Sequence, residues 1–368
     1  MKKIYTLLAF APISLATFAQ IPSGMYAETE GLTGYALKTK LHQITKATHQ
    51  DKGYGALWTA FKTTDVDQYY EQDGSVLDIY SENPNGTDPY VYYYDNNDQC
   101  GNYSNEGDCY NREHLVPQSL FNQASPMKND VHFIFPTDGK VNGQRGNLPF
   151  GKVNSPNWTS SNGSKRGPNA TPGFNQTVFE PIDEFKGDVA RAIFYFVTRY
   201  QNLLGNFSQG NILNANSPGG LQQWQVDLLL DWHHLDPVSD RERDRNDAAY
   251  LFQKNRNPFV DYPHWVDCIW GTADCSDSST SVRPEQAWVS TISIYPNPAE
   301  QNLTIYFEQS TEVQHMSIYS IEGILRQELP MVQNASQIEL PLNELSSGIY
   351  YIRINTAKGI AVKKFIKL

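Results

Sequence analysis

Residues 109–147 read CYNREHLVPQSLFNQASPMKNDVHFIFPTDGKVNGQRGN, and the rest of the chain is organised around them. Arg112, Glu113 and His114 stand together, Asp130 and His132 follow, and Asn142 and Arg145 close the run. A carboxylate, an imidazole, an amide oxygen and a guanidinium suit a metal, a base and a phosphate. A phosphodiester is an anion that repels an attacking hydroxide. Its cleavage needs a base to make the nucleophile and a cation to neutralise developing charge. His114 can be the base, because imidazole titrates near neutral pH. Glu113 and Asn142 offer hard oxygen ligands, which suit Mg²⁺ better than zinc; Mg²⁺ keeps several waters, so few protein ligands are enough. Arg145 can hold a phosphate bidentately. A helix opening at 139–147 would put Asn142 and Arg145 on one face at i, i+3. Adjacent strand residues point to opposite faces, so Glu113 and His114 share a site only where the strand ends or bends, and Pro117 supplies such an ending. Taken singly, a Glu-His pair is usually an exposed charge beside a satisfied histidine, and Asn-Gly is usually a turn. The ordered string carries the information.

That string, N-R-E-H-x-x-P-Q-S followed by D-x-H-x-x-x-P-T-D-x-x-V-N-x-x-R-G-N, resembles the bacterial endonuclease I family. The likeness extends to SVLDIYS at 75–81, WHHLDPVS at 232–239, Arg245-Asn246 and NRNPFVD at 255–261, and spans about residues 30–272. It implies an α+β fold with a ββα-metal (His-Me finger) core among helices, and a secreted, sugar-non-specific nuclease. It implies His114 as general base, and Glu113 and Asn142 as ligands of Mg²⁺, with Mn²⁺ or Ca²⁺ as alternatives. Some members place a further arginine against the phosphate, in the loop between the two halves of the motif. Residues 122–128, NQASPMK, carry none, which leaves Arg112 and Arg145 to neutralise the phosphate, with Lys140 as a further nucleic-acid contact.

Outward from the motif, the N-terminus has Lys2 and Lys3, an apolar run from Ile4, and Thr17-Phe18-Ala19 before Gln20. Residues 1–19 therefore read as a secretory signal peptide, and no later apolar run is long enough to span a membrane. In an exported chain the four cysteines favour disulfides. Pairing Cys100 with Cys109 and Cys268 with Cys275 is the simplest of three connectivities. The net charge of −11 argues against tight, non-catalytic DNA packaging, although local cations and a metal set the field at a site. A hydrophobic content of 39% is enough for a sizeable core.

Periodicity predicts helices at 35–50, 187–204, 221–234 and 240–252, the last with a solvated face whose Arg241, Arg243 and Arg245 could meet phosphates. Residues 76–80 and 91–94 read as short strands, with the tyrosines at 92–94 either half-buried or a base-stacking platform. Residues 153–171 read as a long surface loop. His233, His234 and Asp236 form an incomplete second ligand set, read as structural. Trp58 and Phe61 extend the core, and residues 255–261 pack back on it as a polar turn.

After residues 276–289, a Ser/Thr-rich linker, the composition changes. Short alternating strands are expected at 292–295, 303–307, 316–319 and 349–354, with turns at Pro296-Asn-Pro298, Glu322-Gly323 and 346–348, giving a small β-sandwich. The segments IYPNP, IYSIEG and LSSGIYYIRI and the KKFIKL end resemble the C-terminal sorting domain of the type IX secretion system. That likeness implies the secretion machinery as a partner and an extracellular or cell-surface location. The domains are then 20–275, catalytic, and 290–368, sorting, in a chain expected to be a monomer. The substrates are DNA and RNA, held through phosphates. Two other classes fit less well: a phosphodiesterase of smaller esters, and a surface-displayed nucleic-acid or glycan binding module with a dead site.

Overall fold

The computed structural model describes residues 21–95, 97–272, 275, 292–320, 325–329, 332–356 and 359–368. The expected signal peptide at 1–19, the linker at 276–289 and the turn at Glu322-Gly323 lie outside these residues. What is described divides into two compact units, residues 21–275 and 292–368.

The first unit opens with helices α1 (Gly34–Thr48) and α2 (Leu57–Thr64). The motif follows as strand β1 (Tyr110–His114), strand β2 (Ile134–Asp138) and helix α3 (Gly139–Arg145). Next come β3 (Trp158–Thr159), β4 (Lys165–Pro168), β5 (Thr177–Glu180), α4 (Lys186–Arg199), β6 (Leu213–Asn214), β7 (Gly220–Leu221), α5 (Gln223–Leu235), α6 (Asp240–Gln253), α7 (Pro258–Asp261) and α8 (Trp265–Trp270). Helix α4 is the centre. Val189, Ile193, Phe196 and Val197 recur at helical spacing, and Phe194 and Tyr195 fill the other side, so every residue of α4 is buried. It packs against α1, α5 and α7. Helix α1 buries Leu37 and Leu41, while Phe61 is buried and Trp58 packs on the same core, as expected.

Several elements differ from the sequence reading. Residues 76–80 and 91–94 form no strands. Asp78 turns the chain by accepting Tyr80 N at 2.7 Å, and Val76 N donates to Tyr92 O at 2.9 Å, so the two segments meet as irregular backbone. Of the tyrosines there, Tyr92 is buried and donates to Asp138 Oδ2 at 2.6 Å, Tyr94 donates to the carbonyls of Asp65 and Ser75, and Tyr93 is exposed, so the three do not form one stacking face. The loop expected at 153–171 contains β3 and β4, which join β5 in an antiparallel sheet. Helix α6 keeps a partly solvated side, with Asp240 and Leu251 exposed, but two of its three arginines turn inward. Arg241 and Arg245 are buried, paired with Asp188 at 2.6 Å and Asp65 at 2.8 Å, so neither is placed to meet a phosphate.

Both expected disulfides, Cys100–Cys109 and Cys268–Cys275, are formed. The C-terminal unit is β throughout its described elements: β8 (Ile292–Tyr295), β9 (Asn302–Ser320), β10 (Leu325–Leu329), β11 (Val332–Pro341), β12 (Gly348–Thr356) and β13 (Gly359–Lys367). The strands expected at 303–307 and 316–319 are two halves of one, β9. Its first half pairs with β8 and β11, and its second half with β10 and β12. Leu303, Ile305 and Phe307 alternate inward from the first half; Ile352 and Ile354 do so from β12.

Candidate active site

Strands β1 and β2 pair antiparallel, with His114 opposite Ile134 and Glu113 opposite Phe135. Helix α3 follows β2 without a break. Asp138 accepts Val141 N at 2.8 Å and so caps it. Strand β1 and helix α3 border a cavity of about 470 Å³, lined by Arg112, Glu113, His114, Asn142 and Arg145 together with Tyr54, Tyr103, Asn111 and Gln118. Glu113 and His114 are the last two residues of β1, which is how neighbours in a strand come to line one cavity.

His114 is buried, and both ring nitrogens face carbonyl oxygens: Nε2 lies 3.1 Å from Lys128 O and Nδ1 3.3 Å from Arg112 O. Burial lowers its pKa to about 4, so the ring is neutral at physiological pH. A neutral imidazole donates once, and the shorter contact is the one to Lys128 O. With the proton on Nε2, Nδ1 carries a lone pair.

The carboxylate of Glu113 accepts from Tyr80 OH at 2.9 Å and lies 3.1 Å from Arg145 Nη1. Burial raises its pKa to about 7, with Arg145 opposing. The guanidinium of Arg145 is itself buried. It donates to His114 O at 2.7 Å and to Leu115 O, and stacks over Phe150. The sequence reading put a phosphate on Arg145; its Nη1 and Nη2 meet His114 O, Leu115 O and Glu113, while its Nε is buried without a hydrogen-bond partner. Arg112 is the more accessible of the two, lying 3.5 Å from the Tyr54 ring centroid and 4.3 Å from that of Trp58, with Nη1 donating to Tyr54 O. Asn142 donates Nδ2 to Asn111 Oδ1 at 2.6 Å, a bond that does not use its side-chain oxygen. Lys140, on the first turn of α3, does not line the cavity.

The other half of the motif faces inward. Asp130 accepts from Tyr195 OH, Tyr200 OH and Gln253 Nε2, and His132 Nε2 meets Asn255 O at 2.9 Å. These two residues fasten the connection between β1 and β2 to α4. The set His233, His234 and Asp236 does not converge. Asp236 accepts Gly187 N, and Asp267 takes its place near the two histidines. Nδ1 of His233 faces Arg191 Nη1 at 3.3 Å and His234 Nε2 pairs with Asp267 at 2.8 Å, so the structural reading of these histidines fits.

Sequence reasoning missed Tyr80, Asn111, Tyr54 and the Lys128 carbonyl. Tyr80 lies in SVLDIYS and Asn111 opens NREH, so both were inside quoted motifs. A backbone carbonyl and a distant tyrosine leave no signal in the sequence.

The endonuclease I family model matches residues 33–264. The chain belongs to the endonuclease I family. A second model, the secretion system C-terminal sorting domain, matches residues 293–368. The chain is 35% identical over 252 residues to an extracellular ribonuclease of Bacillus amyloliquefaciens, covering 67% of this chain and 77% of that protein. It is 35% identical over 266 residues to an extracellular ribonuclease of Bacillus subtilis (strain 168), covering 68% and 81%. Endonuclease-1 of Buchnera aphidicola is 26% identical over 138 residues, covering 38% and 46%. This endonuclease I family member is thus a secreted or cell-surface nuclease, a hydrolase with a sorting domain behind it. No described helix is long and apolar enough to cross a membrane.

Proposed function

We propose that the chain is a divalent-metal-dependent, sequence-non-specific endonuclease that hydrolyses phosphodiester bonds of DNA and RNA and leaves 5′-phosphates. The observation that supports this best is the convergence of Glu113, His114 and Asn142 on one cavity beside Arg112. In this reading β1, β2 and α3 are a ββα-metal core, residues 20–275 carry the chemistry, and residues 290–368 carry export.

The donor set fits a hard cation: a buried carboxylate on Glu113 and the amide oxygen of Asn142, while Cys100 at the cavity wall is bridged to Cys109 and offers no thiolate. Nucleases of this family generally depend on a divalent metal, and one held by Glu113 and Asn142 would supply charge neutralisation at the phosphate and the leaving oxygen. The protein's own groups do the rest. Nδ1 of His114 takes the proton of the attacking water, while Lys128 O holds the ring through Nε2–H. Arg112, stiffened by its stack on Tyr54 and Trp58, binds a phosphate oxygen. Arg145 and Tyr80 position the Glu113 carboxylate. Contacts confined to phosphates carry no sequence information, which accounts for non-specific cleavage.

Digestion of supercoiled plasmid and of single-stranded RNA by the purified protein tests this, first with EDTA and then with Mg²⁺ restored. Both substrates should survive EDTA and be cut after add-back, with 5′-phosphate ends. Intact plasmid beside hydrolysis of a small phosphodiester would move the substrate class to small esters.

A further inference from the structure

Away from the nuclease cavity, a second group of carboxylates gathers in the segment that follows α2. Asp67, Glu71 and Glu82 each bring one carboxylate oxygen to within 4.8 Å of the other two. Glu82 is 1% exposed, and its Oε1 is buried without a hydrogen-bond partner. Asp67 is buried and held in place by the chain itself: Oδ1 accepts Tyr69 N at 3.1 Å and Tyr70 N at 3.0 Å, and Oδ2 accepts Gln72 N at 3.1 Å. Glu71 is exposed. A buried carboxylate oxygen with no donor, facing two more carboxylates, is costly unless something positive completes it. Arg241, the cation whose charge acts on Glu82, is already paired with Asp188 at 2.6 Å.

We propose that Asp67, Glu71 and Glu82 form a calcium site. The donors are all oxygen, which selects a hard cation. Two are fixed by burial and one is on the surface, a mixture that suits the flexible, oxygen-rich shell of Ca²⁺ better than the strict octahedron of Mg²⁺. Waters would complete the shell on the exposed side. Burial, with Asp88, Glu71 and Asp67 adding to it and Arg241 opposing, raises the Glu82 pKa to about 9, the direction expected where carboxylates crowd together without a cation of their own. The ion would tie the turn at 67–72 to Glu82, two residues beyond Tyr80, whose hydroxyl donates to Glu113. Its first consequence is a stiffer support beneath the nuclease cavity, so it shows as stability.

The test is calcium binding to the EDTA-treated full-length protein, followed by titration calorimetry with CaCl₂ and by the shift in thermal unfolding. The ion should bind in the range of about 10⁻⁴–10⁻³ M that extracellular sites show. It should raise the unfolding temperature. Glu82→Gln should weaken binding by more than the roughly 10-fold that loss of an outer-shell partner costs. Glu71→Gln, at an exposed position that leaves the fold intact, should weaken it in the same direction. Glu113→Ala should keep this binding and the thermal shift. Calcium binding that is unchanged in both Glu82→Gln and Glu71→Gln would overturn the proposal, as would a thermal shift that disappears only in Glu113→Ala. A site filled by Mg²⁺ at lower concentration than Ca²⁺ would overturn the choice of ion.

Discussion

His114 meets two carbonyl oxygens at similar distances, and in its neutral form it donates to only one of them. Burial keeps the ring neutral down to about pH 4, against the two carbonyls, which favour the protonated form. A base must be unprotonated, so activity is lost as pH falls through its pKa. The acid limb contributed by His114 should therefore lie well below the ordinary histidine value of about 6.5. A profile of single-turnover rate against pH at saturating Mg²⁺ measures it, and a limb at 6.5 or above would mean that the imidazole titrates as though in water. That Glu113, His114 and Asn142 gather at one cavity was legible, because each has a distinctive chemistry inside one ordered string. The bonding of Arg145 was not. Its phosphate assignment came from the chemistry of guanidinium, whereas its partners are the carbonyls of His114 and Leu115 and the carboxylate of Glu113, all 30 or more positions earlier in the chain.

At the scale of elements, Arg145 is the tie between α3 and the end of β1. Arg145→Met should leave Glu113 buried without its cation and cost about 3 kcal/mol of stability, since breaking a buried pair strands the remaining charge. Urea unfolding measures this. Unchanged stability with a raised KM for DNA would return Arg145 to the phosphate. The loop at 100–109 meets α3 as well: a Cβ built on Gly139 would come within 2.6 Å of the Tyr103 ring, so the ring packs directly on the helix backbone. The bridge that closes this loop should be present in the exported protein, and mass spectrometry without reductant should find no alkylatable thiol at Cys100 or Cys109. Its removal should cost at most about 3 kcal/mol on the chain-entropy model. Helices α1, α4 and α5 were legible from their apolar spacing. Residues 76–80 were not, because an apolar run reads the same whether it pairs in a sheet or, as here, bends around the buried carboxylate of Asp78. Helix α6 misled for the reverse reason: Arg241 and Arg245 look solvated until Asp188 and Asp65, distant in sequence, pair with them in the interior.

The whole molecule joins a nuclease unit to a β unit that carries the match to a sorting domain. Each unit has its own apolar core, which is the condition for folding alone. Protein ending near Gln286 should therefore digest DNA as well as the full chain does, and should fail to leave a host that has the type IX machinery. Lost activity without unfolding of residues 20–286 would make the tail part of the substrate site. The division into two units was legible because the alternation of the tail replaces helical periodicity; the union of residues 303–320 into the single strand β9 was not, since the intervening polar residues look like a turn. The central claim is that the full chain cuts nucleic acid with His114 as base. Its most direct measurement is the single-turnover cleavage rate of His114→Ala on end-labelled DNA, with binding of the same DNA followed in parallel. The account predicts a rate lower by about 10²- to 10⁴-fold with binding retained. Near-normal cleavage by the variant would contradict it.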